Sequence, residues 1–144
     1  MSRVINTNSP GKIRNHCRRT VAEILRRLSR KSDVDAETKD MAAAIVYLLR
    51  EIDRSVRQTV EAWEKRDYWM KAERFQREWE WAREAAANFE DIIRNDAWDL
   101  LPELLAALSP HVADVEVKKM TRKPSVWHGA HKKLLDDPPA PLPW

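Results

Sequence analysis

At 144 residues, 43% hydrophobic and 34% charged, the chain is long enough for one domain with its own core, and its single cysteine excludes an internal disulfide. No stretch approaches the roughly 20 apolar residues of a membrane-spanning helix, and the N-terminus has no apolar signal core, so the expectation is a cytoplasmic protein with no membrane span. The net charge of +3 hides an asymmetry: residues 1–32 hold nine Lys or Arg against one acid, residues 33–116 eleven against twenty, and residues 117–144 six against two.

Between Gly11 and Pro102 lie ninety residues without Gly or Pro, which predicts long helices whose breaks must be signalled by Ser, Asp and Asn. The first helix is expected to open with Ser9 as its cap and Pro10 in its first turn, where a missing N–H costs nothing. Ile13, Cys17, Val21, Ile24, Leu25 and Leu28 then recur at helical spacing as one apolar stripe. Lys12, Arg19, Arg26 and Arg30 line the opposite face, within about 40° of one another at 100° per residue.

Ser32 with Asp35 three residues later resembles a capping box that opens the next helix. Its apolar positions run from Met41 through Ile45, Leu48, Ile52, Val56 and Val60 to Trp63. A second series, Tyr68, Ala72, Phe75, Trp79, Ala82, Ala86, Phe89 and Ile93, alternates steps of four and three, the spacing of a coiled-coil-like seam. The five-residue step between Trp63 and Tyr68 means either a turn in "EKRD" or one continuous helix that changes partners there. "EKRD" holds no turn former, and ion pairs at helical spacing cross it, so the reading favours one long helix, on the order of 90 Å. A helix rich in leucine is expected after Asp99, and Ser109-Pro110 predicts another through about Met120. From Pro124 onward the Pro-rich sequence reads as a flexible, extended tail, giving a helical domain over 1–123 and a tail over 124–144.

Motifs with chemistry are scarce. "SPGK" at 9–12 lacks the glycine spacing of a phosphate-binding loop and reads as a helix cap. His16, Cys17, His128 and His131 could in principle ligate a metal, but His16 and Cys17 point about 100° apart on a helix and Cys17 lies on the apolar stripe. The sequence therefore implies no metal, no cofactor and no small-molecule substrate, and no nucleophile stands in a catalytic context. Trp69 and Trp81 lie off the seam beside Met70, which marks a second packing surface for another subunit, another helix or the tail.

The expected architecture is all-α: a long central helix or αα-hairpin packed by shorter helices, self-associating through the seam that a lone long helix would expose. Basic ends around an acidic middle either pair with that middle or face a polyanion. The expected function is a non-catalytic scaffold or adaptor, with Lys12, Arg19, Arg26 and Arg30 on nucleic-acid phosphates and Trp69, Met70 and Trp81 on protein. The alternative is a purely protein-binding subunit of a larger assembly.

Overall fold

The computed structural model describes residues 9–141, and every regular element among them is helical. Helix α1 spans Pro10–Leu28, α2 Ala36–Glu64, α3 Trp69–Arg94, α4 Leu101–Leu108 and α5 Ala130–Asp136. Short 3-10 turns lie at Trp98–Leu100, Ser109–Val112 and Pro124–Val126. Among the described residues no helix is long and apolar enough to cross a membrane.

The order of packing follows from α2. The block "MAAAIVYLL" is apolar around the whole helical circumference, and such a helix must be covered on every side. No residue from Glu37 to Asp53 is exposed. Helices α1, α3 and α5 all pack against α2. Met41, Ala42, Ala43, Ile45, Val46, Leu49 and Ile52 have no accessible surface at all.

Ser9 and Pro10 start α1 as expected, with the Ser9 hydroxyl accepting the Lys12 amide at 3.4 Å. The second cap is Asp35 itself and not Ser32. Its carboxylate accepts the Thr38 amide at 2.8 Å and the Thr38 hydroxyl at 2.9 Å, a charge that the helix N-terminus favours.

The continuous central helix is not formed; residues 36–94 make a hairpin of α2 and α3. The turn is a Schellman motif closed without glycine. The Tyr68 amide bonds the Trp63 carbonyl at 2.9 Å, the Asp67 amide bonds the Glu64 carbonyl at 3.0 Å, and Asp67 sits in the left-handed region at φ 63°. The same motif ends α3. There Ala97 bonds Ile92 at 2.8 Å, Asp96 bonds Ile93 at 3.3 Å, and Asp96 has φ 54°. Aspartate tolerates this conformation because its short polar side chain bonds locally. Asp96 does so through the Trp98 indole N–H, at 2.7 Å. "EKRD" thus contains a turn former after all.

The series predicted as a seam faces α2 of the same chain. Ala72, Ala82, Ala86, Phe89 and Ile93 are buried, Phe75 and Trp79 are half-buried, and only Tyr68 is exposed. The reason for expecting self-association through that seam therefore falls away, because the hairpin covers it.

Two further expectations are corrected. The element from Ser109 is one 3-10 turn, and residues 113–123 are irregular. The segment after Pro124 is not a loose tail through the described residues. Trp127 is 2% exposed and Leu134 is completely buried. Asp40 on α2 accepts the amides of Gly129 (3.2 Å) and His131 (3.0 Å) at the start of α5. Arg94 donates to the carbonyls of Leu134 and Asp137 at its end, each at 2.9 Å. Gly129 has φ +79°, so the approach to α5 needs a glycine there. Leu142, Pro143 and Trp144, also read as tail, lie outside the described residues.

Two substitutions test this architecture by chemical denaturation. Leu134→Ala is expected to lower stability by about 2–5 kcal/mol, the range for a buried leucine, whereas a loose tail would leave it unchanged. Asp67→Gly is expected to raise stability by up to about 1 kcal/mol, because glycine enters the left-handed region without the steric cost of a Cβ. A lower denaturation midpoint for this variant would contradict the turn geometry.

Candidate polyanion-binding face

The one acid of α1 sets the geometry of the basic surface. Glu23 is fully buried, and its carboxylate is saturated with donors. Oε1 accepts the backbone amides of Thr121 at 2.6 Å and Arg122 at 2.8 Å, and Oε2 accepts the Thr121 hydroxyl at 2.5 Å and the Arg19 guanidinium at 2.7 Å. Burial pushes this carboxyl up, but the hydrogen bonds from Thr121, Arg19 and the Arg122 amide outweigh it and hold the pKa at about 2.

The arginines of α1 complete the same clasp from the other side. An irregular segment has carbonyls without ladder partners, and a guanidinium has several donors to give them. Arg19 donates to the Glu116 carbonyl at 2.7 Å and the Lys119 carbonyl at 2.9 Å, and Arg26 donates to the Val117 carbonyl. Arg18 donates to the His111 carbonyl at 2.9 Å and pairs with Asp114. In return Arg122 bonds the Thr20 hydroxyl at 2.9 Å. Arg14 is an internal bolt: it donates to Ser55 and Thr59 on α2 and lies 4.9 Å from the Phe75 ring centre.

The four residues expected to line up on phosphate therefore divide. Arg19 and Arg26 are half-buried and hold the 116–119 carbonyls. Lys12 and Arg30 are exposed, and their side chains make no ion pair among the described residues. The clasp also adds bases that sequence reasoning did not place. Lys118, Lys119 and Lys123 are exposed on the segment held against α1. Beside them a depression of about 220 Å³ is lined by Arg26, Arg27, Arg30, Lys31 and Met120, with Glu37 as its acid. The +4 balance of residues 117–144 was visible in the sequence, but not its location.

Pairing of α1 with the acidic middle is limited. Arg27 and Lys31 bond Glu37 at 3.2 and 2.9 Å, Lys31 also reaches Asp35 at 2.9 Å, and Arg18 pairs with Asp114.

The aromatic candidates divide as well. Trp81 is half-buried, stacked in parallel on His111 with ring centres 4.4 Å apart. Its cover is thus a turn of its own chain. Trp69 is 58% exposed and Met70 78%, and with Tyr68 they form an apolar tip at the hairpin turn. The metal candidates do not converge. His16 bonds Arg122, His131 meets Trp98 edge-on, and burial raises the Cys17 thiol to about 11, keeping it protonated. Among the described residues no three His, Cys, Asp or Glu side chains gather as a ligand set.

The depressed Glu23 pKa fixes a pH dependence. A carboxyl that titrates near 2 when folded and near 4.5 when free contributes its full stabilisation above about pH 4.5, and loses it as the pH falls towards 2. Glu23→Gln is therefore expected to be less stable than the parent chain by about 3 kcal/mol at pH 7, as when a buried charge pair is broken. The gap should narrow steadily between pH 4.5 and 2 in urea denaturation. A gap independent of pH would show that the buried group is not an ionised carboxylate.

No family model, no curated protein and no solved structure matches this chain.

Proposed function

We propose that this protein is a non-catalytic helical scaffold whose basic face binds the nucleic-acid backbone without sequence preference. One observation carries the reading: the Glu23 clasp brings the basic N-terminal helix and the basic 116–123 segment onto a single face. Segments about a hundred residues apart in sequence are thus held side by side, and Lys12, Arg30, Lys118, Lys119 and Lys123 on and beside them are all exposed. Exposed cations that make no ion pair among the described residues beyond the local one of Lys118 with Glu116 at 4.0 Å suit phosphate contacts, which need charge and reach more than fixed geometry. A second reading, a subunit that binds only protein, is favoured by the exposed tip of Tyr68, Trp69 and Met70.

Affinity for a mixed-sequence DNA duplex, measured at several salt concentrations, separates the two. Five phosphate contacts predict a slope of log affinity against log salt of about −4 to −5. Changing Lys12, Arg30, Lys118, Lys119 and Lys123 to Gln is expected to weaken binding by at least about tenfold at low salt, with the melting temperature unchanged. Arg19→Gln with Arg26→Gln is expected instead to lower the melting temperature, because these side chains hold the clasp. Absence of duplex and single-strand binding at low salt would overturn the nucleic-acid reading in favour of the protein-binding one.

A further inference from the structure

The slot between α2 and α3 is filled for only part of its length. At the α5 end, Glu90 of α3 sits between two guanidiniums, with Arg50 of α2 at 2.8 Å and Arg94 of α3 at 2.7 Å. The Ala140 amide closes this arrangement from the incoming chain, 3.4 Å from Glu90. Burial raises the Glu90 carboxyl, but bonds from Arg94 and Arg50 prevail and keep it below the usual carboxylate range. This end of the slot is a finished anion site whose anion is Glu90.

The other end also carries guanidiniums on both helices, but the acids paired with them, Glu51 and Asp53, both belong to α2. In an antiparallel hairpin, facing residues have a constant sum of residue numbers, and the contact of Arg50 with Glu90 sets that sum at 140. The same register puts Arg57 opposite Arg83, and Arg54 and Asp53 opposite Ala86 and Ala87. The groove as a whole, from Arg94 and Ala140 at the Glu90 end to Arg57 and Arg83 at the open end, is about 410 Å³, within the range of small-ligand sites. Its opening follows from Ala86 and Ala87, whose methyl groups leave space that larger side chains would fill. Arg57 pairs only within its own helix, with Asp53 at 3.1 Å, and Arg54 likewise with Glu51. Both guanidiniums are more than half exposed, although the Asp53 carboxylate is mostly buried, and a cation open to water on that side is held weakly. Arg83 is exposed and makes no ion pair among the described residues.

We infer that the open end of this groove binds a small organic anion, its phosphate or carboxylate between Arg57 and Arg83 and its compact apolar body over Ala86 and Ala87. At the Glu90 site one carboxylate is held by an arginine from each helix, Arg50 of α2 and Arg94 of α3, so guanidiniums of the two helices can meet on one oxyanion. The guanidinium fork suits either head group, since both present two oxygens to it. The alanine floor favours an anion with an apolar body over a bare inorganic ion. The site is distinct from the basic face of α1, and the inference does not rest on nucleic-acid binding.

Calorimetric titration of the full chain with phenyl phosphate, benzoate and inorganic phosphate tests the assignment. Phenyl phosphate or benzoate is expected to bind saturably, and whichever is tighter identifies the head group. Arg57→Gln and Arg83→Gln should each weaken that binding by about tenfold or more, as loss of a charge-assisted bond does. Ala87→Leu, at a half-buried position, should weaken the aromatic anions while leaving inorganic phosphate unaffected. The Lys12, Arg30, Lys118, Lys119 and Lys123 to Gln variant should bind all three probes as the parent does. No saturable binding of any probe, equal binding by the Arg83→Gln variant, or loss in the α1-face variant would each overturn the proposal.

Discussion

The fold depends on the need to cover α2 on every side. A helix with apolar residues around its whole circumference cannot lie at a surface, so neighbours must come from wherever the chain can supply them. Helix α1 comes from the N-terminal side, α3 from the hairpin, and α5 from forty residues further on. The cover is complete only over the first half of α2, where Asp40 and Tyr47 meet the α5 segment. Beyond it α2 carries Arg54, Arg57 and Gln58 on its open side, and these are exposed. The change from buried to charged along one helix marks where the third cover stops, and the arginine groove lies at that boundary.

A second constraint governs the surface. Residues 113–123 have no regular backbone bonding, yet they pack against a helix, so their amides and carbonyls need partners. Helix α1 supplies both kinds at once: Glu23 accepts the amides and the arginines give to the carbonyls. The concentration of positive charge in α1 is in large part a concentration of hydrogen-bond donors. A neutral helix could offer few donors of comparable reach, and lysine lacks the planar fork that lets Arg19 hold two carbonyls and Glu23 together.

These two uses of charge bear on function. Cations bound up in tertiary bonds, such as Arg14, Arg19 and Arg26, are poor candidates for a ligand because moving them would release buried groups. Cations whose side chains make no ion pair among the described residues, such as Lys12, Arg30 and Lys123, are the ones on which the proposed polyanion contact rests. The aromatic residues sort by the same rule. Trp81 is committed to His111, while Trp69 and Met70 at the hairpin tip touch little of their own chain.

The order of residues was enough to establish that the chain is helical and which face of α3 is apolar, through periodicity, where α1 begins, through Ser9 and Pro10, and that the charge is split between ends and middle, through composition. Each of these is a property of one continuous stretch of chain, so a linear reading captures it. The breaks were harder, because Asp67 and Asp96 act as left-handed caps only when the bonds across the turn form around them. The docking of α5 depends on Asp40 and Arg94, about ninety and forty residues away from their partners. The split of the basic line into structural and free cations depends on carbonyls nearly a hundred residues distant, and the groove on the register of two helices. Periodicity assigns a side chain to a face, but only tertiary packing decides what that face meets, because the partner's distance along the chain has no local signature.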